Sequence, residues 1–171
     1  MERYFNIPEI FQYRIIDTDI IPFLPEVTEM CRDNLCGRYG RSWTCPPAID
    51  PTKLQKEIKS YKNACVFTCK HEIEDSFDFE GMMDAQRATM DVLWDVVARL
   101  ERDGVKFKAL GCGSCTLCEK CTYPDPPCRF PNRALPSLEA CGLSVVKLAK
   151  LTGINYTNGA NTVTYFCMIL W

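Results

Sequence analysis

Five cysteines fall within the seventeen residues from Cys112 to Cys128, in the run GCGSCTLCEKCTYPDPPCRFP. Cys112, Cys115, Cys118 and Cys121 recur at every third position, and Cys128 follows after six intervening residues, ahead of Arg129 and Pro131. A C-x2-C-x2-C run lets a tight loop offer thiolates to three corners of a cubane. A later cysteine beside a proline then supplies the last corner, the logic of bacterial ferredoxins. Zinc fits this run less well, because a tetrahedral zinc site usually takes one C-x2-C pair and a second pair a dozen or more residues away. Unliganded structural thiols fit least, since free cysteines prefer buried apolar settings and this segment is polar and proline-rich. Spacing alone leaves open which four of the five would bind, Cys112 included.

A second group is C-x4-C-x8-C, formed by Cys31, Cys36 and Cys45 and followed by Pro46 and Pro47. Gly37 and Gly40 give the backbone freedom to bring these thiols together. We read this loop as a second metal site. Either a fourth ligand comes from elsewhere, or three thiolates leave one corner open to a small molecule. Cys65 and Cys69 are candidates for the fourth position, because a step of four residues keeps both on one face of a strand. The bland alternative is a surface Ω-loop plugged by Trp43. The C-x3-C-x2-C spacing of radical chemistry is absent. Arg38, Arg41, Arg129 and Arg133 flank the two loops. Guanidiniums there would stabilise an anionic four-thiolate cluster and raise its potential; solvated loop charges are the plainer reading of any one of them.

CGRYGRSWTCPP at 36–47, PCRFP at 127–131 and PSLEACGLSVVKLAK at 136–150 together resemble a family of metal-binding proteins catalogued as domain of unknown function 2284. The resemblance covers most of the chain. It implies a cysteine-ligated metal centre of bacterial and archaeal, largely anaerobic, proteins, with no established reaction. It also implies Cys115, Cys118, Cys121 and Cys128 as the core ligands, with Cys112 an extra thiol peculiar to this sequence.

Other residues point to structure first. His71 is the one histidine; between Lys70 and Glu72 at a strand end, it reads as exposed rather than as a ligand or proton carrier. Cys141 and Cys167, each among apolar neighbours, read as small core residues. Glu74, Asp75, Asp78 and Glu80 precede a long helical pattern, and a helix dipole accounts for acids at its start.

The elements that must position these groups follow from periodicity. Alternation in residues 10–16 predicts a strand, with Phe11, Tyr13 and Ile15 on one side. Pro22 and Pro25 argue against a long helix in 17–35. Asp50 and Pro51 start a short helix carrying Leu54, Ile58 and Tyr61. ACVFTC at 64–69 predicts a strand, and the apolar face of 79–102 a long helix stopped by Gly104. VKFKAL at 105–110 predicts a strand, Ser144 to Lys150 a helix ended by Gly153, and 161–170 a closing strand. The expected fold is α/β, with mixed α+β as the variant: a small sheet of about four strands with helices packed on it and two long cysteine-rich loops, 31–47 and 111–136. One domain spans 1–171. Loops of that length call for a reason, and a bound metal supplies one.

Composition frames the function. Cysteine contributes 12 of 171 residues, the net charge is −2, and 47% of residues are hydrophobic. No basic excess suggests nucleic acid, no apolar run suggests a membrane span, and MERYFNIPEIFQYRII does not read as a secretory signal. Many thiols without secretion signals suggest a reducing cytoplasm. The expectation is a cytoplasmic iron–sulfur protein with one 4Fe-4S cluster, and room for a second, that carries electrons or gives redox service to a partner enzyme. The alternatives are a redox enzyme using an open-corner cluster on Cys31, Cys36 and Cys45, and a zinc-stapled interaction module. The sequence leans away from an enzyme and is silent on oligomeric state.

Overall fold

A computed structural model describes all 171 residues. Four strands form one antiparallel sheet in the order β1-β2-β4-β3, from Gln12–Asp17 (β1), Asn63–Glu72 (β2), Lys108–Leu110 (β3) and Thr162–Leu170 (β4). Four helices accompany it: Pro25–Asp33 (α1), Pro51–Ile58 (α2), Phe79–Arg102 (α3) and Val145–Thr152 (α4). The fold is mixed α/β, as the alternation of patterns implies. No helix is long and apolar enough to cross a membrane.

The two faces of the central pair β2 and β4 bury different partners. Ala64, Val66, Phe166, Met168 and Leu170 pack with Ile58 of α2, Leu138, Leu143 and the α4 residues Leu148 and Ala149. Cys65, Phe67, Cys69, Cys167 and Ile169 pack with Leu93, Val96, Val97 and Leu100 of α3 and with Tyr4 and Phe5. Period-two alternation along the buried stretches of these two strands thus yields two cores, one on each side of the sheet.

Local chemistry sets the ends of the elements. The Asp50 carboxylate accepts from the N–H groups of Thr52 and Lys53 at the start of α2, and Asp78 accepts from Gly81 N–H at the start of α3, both ordinary N-caps. Pro25 opens α1 at its first turn, where a missing N–H costs nothing; it begins a helix rather than preventing one. The predicted strand 105–110 shrinks to Lys108–Leu110. Gly104 at φ +67° turns the chain so that Val105 N–H bonds Leu100 O at 3.0 Å, which commits it to the end of α3. β1 is an edge strand, so Phe11 and Ile15 remain exposed while Tyr13 packs beside Phe5.

This topology gathers the cysteine loops. β2 and β3 both run antiparallel to β4 and lie on either side of it, so they are parallel to each other with β4 between them, not adjacent. The carboxyl end of β2 and the start of β4 share one end of the sheet, whereas β3 ends at Leu110 opposite Met168, well short of that end. The loop after β3 therefore leaves from partway along β4, heading toward that end. Cys31, Cys36 and Cys45 of the first loop line one cavity with Val163 and Thr164 near the start of β4.

Candidate metal centres

Residues 111–136 contain no helix or ladder strand, only the single bridge Gly111–Ser137. Within it Cys115, Cys118, Cys121 and Cys128 line one narrow cavity of about 20 Å³, room for about one water. Cys112 is not among its lining residues. Burial pushes the Cys115 thiol up, and the proximity of Cys128, Cys118 and Cys121 adds to this. Cys121 goes the other way. Burial works to raise it, but donors at the backbone of Tyr123, Trp43 and Thr122 and the Ser42 hydroxyl bring it below the usual thiol value. Donors aimed at a sulfur favour the thiolate, the form that binds metal.

Two of those donors belong to the first loop, and Ser42, Trp43 and Thr44 form part of the wall of this cavity. Trp43 donates from Nε1 to Thr122 Oγ1 at 3.2 Å and meets Tyr123 edge-on at 5.0 Å. The Thr122 hydroxyl in turn donates to Pro127 O at 3.1 Å. Trp43 is therefore a plug, but it seals the joint between the two loops rather than filling a free-standing Ω-loop. Arg129 lines the same cavity and is held by Lys120 O at 3.0 Å. Arg133 lies instead over the Trp94 ring, 5.1 Å from its centroid.

The other side of this joint is a cavity of about 440 Å³, within the range of small-molecule sites. Cys31, Cys36 and Cys45 line it with Arg38, Glu139 and the first residues of β4. Cys31 stands in the last turn of α1, before Asn34 takes the left-handed cap conformation at φ 56°. Burial raises the Cys31 thiol, and Cys36, Cys45 and Glu139 raise it further. Burial also raises Cys45, against hydrogen bonds from Thr44 and Ser42. The three first-loop thiols thus sense one another. Arg41 is exposed and belongs to neither cavity lining.

Neither Cys65 nor Cys69 lines the first-loop cavity. Cys65 is buried on the α3 side of the sheet. Cys69 is buried there as well, its thiol pushed up to about 12 by burial. Cys112 is also buried and lies near Cys167, whose thiol burial raises well above its usual value, with Cys112 adding to the rise. Cys69, Cys112 and Cys167 thus form a third thiol group, absent from the sequence reading because its members are 98 residues apart along the chain (Cys69 to Cys167). Cys112 shows one edge to the 440 Å³ cavity. Cys141 is a core residue, as expected. His71 is corrected: it is half-buried, with Nε2 2.9 Å from Thr89 Oγ1. The Thr89 hydroxyl proton goes to Ala85 O, so the imidazole Nε2–H is the donor. Burial lowers its pKa.

All twelve cysteines are free thiols. No three His, Cys, Asp or Glu side chains gather about one point that would hold a single metal ion. The donor set of the second loop, four thiols with N–H and O–H groups aimed at one of them, suits a thiolate-bound metal group. A family model described as a predicted metal-binding protein (DUF2284) matches residues 14–171, and the chain belongs to that family. No curated protein and no solved structure matches it.

Proposed function

We propose that the protein is an iron–sulfur electron carrier whose 4Fe-4S cluster is held by Cys115, Cys118, Cys121 and Cys128, serving a redox partner protein in the cytoplasm of an anaerobe. The observation that carries this reading is that four thiols, spaced C-x2-C-x2-C-x6-C, line one cavity. A cubane spreads its thiolates over four irons, whereas zinc draws four sulfurs to about 2.3 Å from one point. When bound, the cluster supplies a one-electron couple. The chain's own part is to hold it. Ser42 and the backbone around Trp43 direct hydrogen bonds at Cys121, which raise a cluster's potential, and Arg129 sets a cation beside the site.

The first loop is the second centre in this reading, with Cys31, Cys36 and Cys45 as ligands and Arg38 beside them. Its cavity favours a further reading, a redox enzyme: about 440 Å³ of mostly apolar-walled space in front of three thiols is a place for a small molecule. One observation also favours zinc at the second loop, the narrowness of its cavity. Metal and sulfide analysis of anaerobically prepared protein separates these. Two cubanes give about eight irons and eight sulfides per chain, and the second loop alone gives about four of each. A colourless protein with stoichiometric zinc and no sulfide overturns the iron–sulfur reading.

A further inference from the structure

The run of five cysteines is ambiguous by one step. Its C-x2-C-x2-C pattern is met by Cys112, Cys115 and Cys118 and again by Cys115, Cys118 and Cys121. Spacing cannot choose between them. We propose that Gln86 of α3 is the positioning residue that makes the choice. It holds the backbone on both sides of Gly113, turns Cys112 away from the other four thiols, and so makes Cys115 the first ligand of the second loop. This rests on the reading of that loop as the cluster site.

The thiols part company within three residues. Cys112 is 6% exposed and packs in the α3-side core with Cys69 and Cys167. Cys115 lines the cavity shared by Cys118, Cys121 and Cys128, and Cys112 does not. Between them Gly113 takes the left-handed conformation, at φ +59°. Upstream the chain is already fixed, since Gly111 N–H donates to Pro136 O at 3.0 Å. The course of the cysteines that follow is therefore decided at 112–114.

Gln86 holds that point. Its side-chain Nε2 donates to Cys112 O at 3.0 Å and to Ser114 O at 2.7 Å. One primary amide nitrogen carries two N–H groups, so it serves both carbonyls at once. No backbone N–H reaches either oxygen. Gln86 is itself 4% exposed, on the buried face of α3, where an unpaired amide would be costly. The fit is mutual. A Cβ on residue 113 would stand 2.7 Å from the Gln86 nitrogen and push the amide away, and a left-handed φ favours glycine. Burial of one small thiol is a non-directional hold on Cys112; the pair of hydrogen bonds is what gives the turn its direction.

The test is a ligand swap, read as iron and sulfide per chain in anaerobically prepared protein. Every protein carries Cys36→Ser, so that the irons counted belong to the second loop. This parent should hold about four irons. Adding Cys115→Ser should lose them, because the clamp denies Cys112 to the cluster. Adding Gln86→Leu to that protein should restore about four irons, and Cys112→Ser should then remove them again. Gly113→Ala in place of Gln86→Leu opens the same clamp from the other side and should give the same rescue. Gln86→Leu with Cys115 intact should keep the parent's iron, which shows that α3 still folds; where it does not, the Gly113→Ala protein decides alone. Iron retained by Cys115→Ser while Gln86 is intact, or no rescue on opening the clamp, overturns the role of Gln86 and leaves the cluster standing. A parent without iron and sulfide overturns the cluster reading itself.

Discussion

The second loop turns its thiols toward one another, and the first turns its own toward a cavity. Four cysteines of the second loop enclose about 20 Å³, while three of the first face about 440 Å³. The hydrogen bonds are unequal too. Cys121 receives enough donors to outweigh burial, whereas burial prevails at both Cys31 and Cys45. A closed set of four thiols suits a centre that only changes charge. An open set of three suits a centre that something else must reach. In the function proposed above, the two loops divide the work, with electrons held at one centre and exchanged with a molecule at the other.

The largest expected effect is ligand loss. Cys118→Ser or Cys128→Ser should strip about four irons per chain, or degrade that cluster, because serine's harder oxygen replaces a thiolate poorly. Cys36→Ser should leave those four in place, and Cys112→Ser should leave both centres intact, since Cys112 faces the core. Iron loss on Cys112→Ser equal to that on Cys118→Ser would shift the ligand set by one step and undo the contrast between the loops.

Next in size is access. Adding a small thiol such as 2-mercaptoethanol to reduced protein should alter the paramagnetic signal of the first centre and leave that of the second unchanged. A response at the second centre alone would reverse the roles assigned here.

A smaller effect tests how separate the loops are. Ser42→Ala removes a first-loop donor from Cys121 of the second. A hydrogen bond worth about 1 kcal/mol corresponds to about 40 mV in a one-electron couple. The second centre's potential should fall by about that amount while its iron content stays the same. No change in potential would mean that the loops touch without tuning each other.

The smallest effect is read in the apoprotein. Cys121 lies below its usual value, and Cys31 and Cys45 above theirs. A lowered thiol ionises earlier as pH rises, so alkylation followed by mass spectrometry should label Cys121 at lower pH than Cys31 or Cys45. The opposite order would remove the electrostatic half of the comparison.

Much of the scaffold was legible because it depends on local rules. The helix Phe79–Arg102 carries a long apolar period and stops at a glycine, and Asp50, Ser144 and Gly153 cap elements by short-range hydrogen bonding or backbone freedom. The strand order was not legible. Placing β4 between β2 and β3 depends on which apolar faces meet, and β2 and β4 each bury side chains on both faces. His71 was read as exposed because nothing local predicts Thr89, eighteen residues away across the α3 interface.

The sequence by itself determined that this chain carries clustered thiols, in a spacing that tight loops use for metals, on a mixed α/β frame with two long irregular loops. Spacing within a loop is a local property, set by how few residues separate the sulfurs. Only the tertiary structure decided that the two loops meet, that Ser42 and Trp43 serve the second loop's cavity, and that Cys112 joins Cys69 and Cys167 in the core. Those relations depend on which distant segments the packing of both sheet faces brings together, a matter of long-range burial and not of local spacing.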